Sequence, residues 1–152
     1  MTDRSNFAAN DGLPDPITQA YFYQGVAGKR AMAWLVDLGL ILALCLIILP
    51  FTGFLALFFF GALFLFVGFL YRWTSIARHS ATPGMRLMGI EFRDAQGLPF
   101  DSGTAFVHTL GYSLSVAFCV PQLVSIALML LTPRGQGLTD HVLGTAAIHR
   151  PM

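Results

Sequence analysis

The chain has 152 residues, of which 55% are hydrophobic and only 11% are charged, and its formal net charge is +1. Soluble domains carry about 25% charged residues, so this composition argues against a water-soluble globular enzyme and favours an integral membrane protein. The nine basic residues form no run, so nothing favours nucleic-acid binding.

The first 26 residues form a polar N-terminal segment ahead of a membrane domain that we predict for residues 27–150. Turn signals rich in Pro, Gly, Asn and Asp lie at residues 10–12 and 14–16. The apolar run that follows is longer than the core of a signal peptide and lacks a small-residue cleavage pattern. We therefore expect the first apolar helix to remain in the mature protein.

Two apolar runs, at about residues 30–49 and 54–71, are long enough to cross a bilayer, which takes about 20 helical residues. Between them lie Pro50 and Gly53, both of which break helices, and no charged residue. So short a connection between two apolar helices predicts an antiparallel transmembrane hairpin in an all-α membrane protein.

Basic residues mark one end of this hairpin, whereas the turn at residues 50–53 has none. The residues at the basic end are Lys29, Arg30, Arg72, Arg78, Arg86 and Arg93. Because Lys and Arg accumulate in cytoplasmic segments, we predict a cytoplasmic N-terminus and linker in a bacterial inner membrane.

The linker of residues 74–100 has a pattern of its own. Residues 82–84 are a turn signal, residues 85–93 contain a partial alternation at residues 90–93 as in a strand, and residues 94–97 have the chemistry of a turn closed by Gly. A second short strand-like segment occupies residues 145–148. The two segments are predicted to pair as a small cytoplasmic β-ribbon.

The third apolar stretch, residues 105–131, would span about 40 Å as one straight helix, which exceeds the ~30 Å hydrocarbon core. Pro121 lies in its middle and can kink or break the helix. One tilted crossing would leave the C-terminal tail on the far side, whereas a broken or re-entrant pair would return it to the linker. The predicted ribbon favours the return, but the sequence leaves both open.

Asp37 is the one charged residue inside the first apolar run, about 10 Å beyond Arg30 along a helix. A carboxylate in hydrocarbon costs at least about 2.5 kcal/mol on insertion scales, so it must be paired, protonated or turned inward. Arg30 lies on nearly the same helix face and is the expected partner. Asp37 is either a cation or proton site, or a structural acceptor that holds helices together.

Five polar residues in the third stretch recur at spacings of four, three, four and three, which predicts one stripe along a helix. They are His108, Tyr112, Ser115, Cys119 and Gln122. Such a stripe faces protein or water, so it supplies either interhelical hydrogen bonds, which we favour, or the lining of a cation or substrate path. The four histidines share no ligand spacing, and no nucleophile motif occurs, so we expect no metal, no cofactor and no enzyme.

Four segments in this order resemble the signature elements of the RDD family of membrane proteins, which is named for one arginine and two aspartates. They are AGKRAMAWLVD at residues 27–37, TPGMRLMGI at 82–90, DAQGLP at 94–99 and GLTDHVLGT at 137–145. The chain departs from the family pattern at Met85, where Lys is usual, and at residues 139–142, where the family has a His-Asp-Arg element. The resemblance identifies Arg30, Asp37 and Asp140 as the signature residues.

The resemblance implies transport of a small ligand or of a cation coupled to protons, through a site that contains Asp37. The alternative is a membrane scaffold or assembly factor that transports nothing. Three spans are few for a monomeric carrier, so transport would need a homo-oligomer or a membrane partner in the bilayer.

Overall fold

The computed structural model describes residues 12–151, so the first 11 residues of the predicted N-terminal segment, with most of the turn signal at residues 10–12, lie outside the described residues. The two longest helices are α1, Val26–Phe51, and α2, Phe60–His79. They form the predicted hairpin, and by length and composition both can cross a membrane. This confirms the first predicted span, which α1 exceeds at both ends.

The second span differs from its predicted bounds of 54–71, because the connection is longer than four residues. Gly53 and Phe54 both take left-handed backbone conformations, with φ of 61° and 63°. A single 3₁₀ turn follows at Leu55–Leu57, and α2 therefore begins at Phe60. At its other end α2 continues past Tyr71 to His79, since no helix breaker occurs before the left-handed Ser80.

A short helix occupies the first part of the linker, where the sequence pattern predicts only a turn ahead of the strand-like residues 90–93. Thr82 caps helix α3, Pro83–Leu87, by accepting a hydrogen bond from the Met85 N–H, and Pro83 occupies the first helical position. Both are strong helix-start signals. The strand β1 is limited to Ile90–Arg93.

The third apolar stretch is broken in two. Helix α4, Ser102–Ala117, and helix α5, Cys119–Leu131, meet at an angle of 115° at Phe118. Pro121 lies in the first turn of α5, where its missing N–H and fixed φ are tolerated, so the break comes just before the proline.

After α5 the chain returns to the linker. Helix α6, Leu138–Leu143, leads into strand β2, Ala146–His149, which pairs antiparallel with β1 in the register Ile90↔His149 to Arg93↔Ala146. The predicted ribbon and the return of the third stretch are both confirmed.

The core lies at the ribbon end of the hairpin, where α1, α2, α3, α4 and the ribbon meet. Its buried members include Val26, Ala33, Ile76, Ile90 and Phe92. Away from this core the two long helices expose large apolar side chains such as Leu46 and Phe66. A soluble protein rarely exposes so much contiguous apolar surface, and a helix facing lipid does.

Candidate functional site

Asp37 is 1% exposed and accepts hydrogen bonds from donors on α2 and α3. The Tyr71 hydroxyl donates to Oδ1 at 2.8 Å, and the Gly84 N–H donates to the same oxygen at 2.9 Å. The Thr82 hydroxyl donates to Oδ2 at 2.5 Å. Asp37 therefore ties α1 to two other helices and acts throughout as an acceptor.

Gly84 makes this arrangement sterically feasible. A Cβ at position 84 would lie 2.3 Å from the Ala33 carbonyl oxygen and 2.8 Å from Oδ1 of Asp37. Only glycine allows the start of α3 to approach α1 this closely. The Thr82 hydroxyl donates to Asp37 and accepts from the Met85 N–H, so the cap of α3 and the carboxylate form one network.

The cation nearest to Asp37 among these contacts is Arg72, not Arg30, so the predicted Arg30–Asp37 pairing is wrong. Nη1 of Arg72 lies 4.0 Å from Oδ2 of Asp37. The Arg72 guanidinium also lies over the Tyr112 ring, 4.3 Å from its centroid. Tyr112 in turn accepts a 2.8 Å hydrogen bond from the Trp34 indole N–H.

Arg30 instead pairs with the second signature aspartate. Its Nη1 lies 2.7 Å from Oδ2 of Asp140, which is 1% exposed. Oδ1 of Asp140 lies 2.8 Å from Nε2 of His108 and accepts a 2.9 Å hydrogen bond from the Thr145 hydroxyl. The Gly137 N–H donates to Oδ2 at 3.0 Å, which caps α6.

These contacts set the ionisation of Asp140, which lies outside the membrane-spanning helices. Burial alone would raise the pKa of its carboxyl group, because a desolvated charge is unfavourable. The positive charge of Arg30 and the hydrogen bonds from His108 and the Gly137 N–H outweigh burial. Together they hold the pKa of Asp140 well below its ordinary value, so this residue is ionised at neutral pH.

A cavity of about 560 Å³ lies between α1, α2, α4 and α5, and both networks reach it. Most of its wall is apolar, and the polar part comes from a small set of side chains. They include Arg30, Asp37, Arg72, His108, Thr109, Tyr112 and Gln122. Apolar cavities of this size with a few convergent polar groups are the usual form of small-molecule sites.

Two polar atoms of the cavity-lining residues lack partners. Nδ1 of His108 and Oγ1 of Thr109 are buried without a hydrogen bond within residues 12–151. Buried polar atoms in proteins are nearly always bonded, to protein or to something else bound there. Both atoms are exceptions to that rule on the part of α4 that lines the cavity.

The polar stripe predicted for the third stretch does not lie on one helix, because the break at Phe118 separates its members. His108 and Tyr112 on α4 and Gln122 on α5 nevertheless line the same cavity. Ser115 is buried on α4, whereas Cys119 is exposed at the start of α5.

Sequence reasoning missed Arg72, Tyr71 and the Thr82–Gly84 cap as partners of Asp37. Arg72 was interpreted as a cation at the end of the second span, although α2 continues for two further turns. The turn at residues 82–84 was recognised in the sequence. Thr82 and Gly84 lie 45 and 47 residues from Asp37, however, and no local pattern predicts a contact at that separation. No group of His, Cys, Asp or Glu that could hold a metal ion occurs within residues 12–151.

Comparison with known proteins identifies one match. The RDD family model matches residues 25–144, which is most of the chain. No curated protein and no solved structure matches it. The matched range includes Arg30, Asp37 and Asp140, together with every polar residue of the cavity wall.

Proposed function

This chain belongs to the RDD family, and from that premise we propose that it carries a small ligand across a membrane by way of the cavity between α1, α2, α4 and α5. The observation that supports this is the cavity itself, about 560 Å³ in volume and in contact with both ion-paired networks. Known small-molecule sites have volumes of roughly 300–1,000 Å³ and a mostly apolar wall.

In this proposal the cargo is a small ligand rather than a metal cation bound by Asp37. A carboxylate that binds a cation needs free lone pairs directed at the site. Both oxygens of Asp37 already accept hydrogen bonds, from Tyr71 and Gly84 on one oxygen and from Thr82 on the other. Asp37 thus positions Arg72 and α3 at the cavity wall, and the chain binds and moves its ligand without catalysing a reaction.

We further propose a bacterial inner-membrane location with the N-terminus and the ribbon in the cytoplasm. The basic residues lie at the ribbon end of the hairpin, while residues 52–59 carry no charge. A carrier of this size also needs a second copy or another membrane partner, because known carriers use larger helix bundles.

The test is uptake by proteoliposomes of three named probes: sodium ions, potassium ions and octanesulfonate, whose permanent charge prevents passive leakage. We expect uptake of octanesulfonate by the unaltered protein and its loss in Ala31→Trp, which fills the cavity from α1. The matched control is Ala43→Trp, an exposed position of the same helix that does not line the cavity. Absence of octanesulfonate uptake by the unaltered protein, or equal uptake by Ala31→Trp, contradicts the proposal. Uptake of sodium or potassium ions without octanesulfonate contradicts the choice of a small ligand over a cation.

A membrane scaffold is the second candidate, and the hydrogen bonding of Asp37 is the observation that favours it. A carboxylate fully occupied in tying α1 to α2 and α3 serves the fold. In that case Asp37→Asn lowers thermal stability, and no variant of the cavity wall changes any flux.

A further inference from the structure

The guanidinium of Arg72 is a cation on the cavity wall with unused donors. Its side chain is 13% exposed, and its closest approach to Asp37 is 4.0 Å, which is too long for a hydrogen bond. Within residues 12–151 it donates no hydrogen bond, and its remaining contact is with the face of the Tyr112 ring.

The unused donors of Arg72 can be reached from the cavity that it lines. A guanidinium has five N–H groups, each of which can donate to an acceptor that enters the site. Asp37 does not supply that acceptor, since its oxygens are taken by Tyr71, Thr82 and Gly84. The planar fork of Arg is best matched by a carboxylate or a phosphate, which accepts two parallel hydrogen bonds.

Gln122 adds a second polar group to the cavity wall. It lines the cavity from α5, and its side-chain amide makes no hydrogen bond within residues 12–151. An amide N–H can donate to the same anionic group that Arg72 binds. The polar wall therefore offers donors, while its one carboxylate, Asp37, is already occupied.

The rim of the cavity is apolar and exposed. Leu35 on α1 is 54% exposed, and Leu130 on α5 is 72% exposed, and both also line the cavity. Both helices belong to segments apolar enough to lie in the membrane. The cavity thus has a cation inside and a hydrocarbon-like opening, so an alkyl chain can leave it towards the lipid.

We propose that the cavity binds an anionic amphiphile. Its carboxylate or phosphate group accepts hydrogen bonds from Arg72 and Gln122, and its alkyl chain leaves between Leu35 and Leu130. This names the ligand class for the site of the proposed function and rests on it. The ligand needs both its alkyl chain and its negative charge. A neutral ester lacks the charge that Arg72 binds, and a small free anion lacks the apolar contact.

Trp34 provides the measurement because it lines the cavity and is one of the two tryptophans of the chain. In a Trp73→Phe background, doxyl-labelled stearate added to the protein in a non-ionic detergent quenches Trp34 fluorescence saturably. The expected result is that the methyl ester binds at least about tenfold more weakly, a difference of about 1.4 kcal/mol. Equal quenching by acid and ester overturns the proposal without requiring any cavity variant to fold.

Variants then locate the anion. Arg72→Gln should weaken stearate binding by about tenfold or more, since it removes a charge-assisted pair of hydrogen bonds. Arg78→Gln is the matched control, because Arg78 lies on the same helix, is exposed and does not line the cavity. If both variants bind stearate as the parent does, the assignment of Arg72 is wrong.

Competition distinguishes a lipid-like anion from a free one. Inorganic phosphate or acetate at millimolar concentration should leave stearate quenching unchanged. Displacement of stearate by either anion at that concentration overturns the proposal that the ligand is an amphiphile. The two proposals also fail separately. If stearate binds but octanesulfonate is not taken up, the transport proposal is refuted and the proposed binding site stands. If octanesulfonate is taken up but acid and ester bind equally, the proposed anion site is refuted and transport stands.

Discussion

Arg30 and Asp140 stand 110 residues apart in the chain and form a 2.7 Å ion pair, whereas Arg30 and Asp37, on the same helix, do not pair. The two signature aspartates therefore belong to different networks. Asp140 joins α1, α4, α6 and the start of β2, and Asp37 joins α1, α2 and α3. The cavity lies where the two networks approach each other.

Replacing Asp140 with Asn should strongly destabilise the protein. The change leaves the Arg30 guanidinium largely buried without its counter-charge, and removing one partner of such a pair typically costs about 3–5 kcal/mol. The free energy of unfolding in detergent measures the effect. Asp101→Asn is the control, because Asp101 is exposed and Asn also caps helices well. An Asp140→Asn protein as stable as the control would contradict the ion pair.

Stability should also depend on pH through Asp140. Its pKa in the folded protein lies below the value in the unfolded chain, so the unfolded state takes up protons first as pH falls. The stabilisation is fully present above the unfolded carboxyl pKa, about 3.9, and is lost as pH falls towards the folded pKa. We expect the difference in Tm between the parent and Asp140→Asn to be constant near neutral pH and to shrink below about pH 4. A difference that grows on acidification would refute this assignment.

Gly84→Ala should displace α3 from α1. The new methyl group would lie 2.3 Å from the Ala33 carbonyl oxygen, so the backbone must shift and the Gly84–Asp37 hydrogen bond weakens. Overpacking of this kind costs about 1–3 kcal/mol. Thermal unfolding measures it, with Gly39→Ala as the control, since a Cβ at Gly39 meets nothing within 4 Å. Equal Tm values for the two variants would show that α3 does not pack on α1 in this way.

Removing one hydrogen-bond donor to Asp37 should destabilise the protein less than changing the carboxylate itself. Tyr71→Phe removes one hydrogen bond at 2.8 Å and leaves those from Thr82 and Gly84, so it should cost about 1 kcal/mol. Asp37→Asn places an amide N–H₂ group among donors and should lower the free energy of unfolding by distinctly more than Tyr71→Phe does. Denaturation of both variants in the same detergent tests the order, and a Tyr71→Phe variant less stable than Asp37→Asn reverses it.

The proposed orientation predicts which loops react with a membrane-impermeant maleimide. In a Cys119→Ser background, single cysteines replace Leu98 in the linker, Val142 on α6 and Phe58 in the hairpin turn, all exposed. In right-side-out spheroplasts Phe58→Cys should react, and the other two should react only after permeabilisation. The reverse pattern refutes the cytoplasmic linker. Opposite behaviour of Leu98→Cys and Val142→Cys would place the linker and α6 on different sides of the membrane, and the two strands then could not pair as a ribbon.

Patterns local in the sequence predicted the elements well. Apolar runs longer than the hydrocarbon core marked α1 and α2, and the short alternation at residues 90–93 marked β1. The same patterns misplaced the start of α2, because a left-handed Phe54 is not visible in hydropathy. The polar stripe at residues 108–122 was assigned to one helix, since a period of 3.6 continues across a bend, although the length of the stretch and Pro121 already favoured a broken pair.

The sequence by itself determined that this is a helical membrane protein with a buried acid at position 37, a basic end and two short strands that pair. Only the tertiary structure decided which arginine approaches which aspartate. Sequence spacing favoured Arg30 and Asp37 because two helical turns bring side chains onto one face. Their hydrogen-bond and ion-pair partners come instead from α2, α3 and α6, at separations of 34 to 110 residues. Those contacts depend on how helices pack, for instance on the missing Cβ of Gly84, and a periodic pattern does not contain that information.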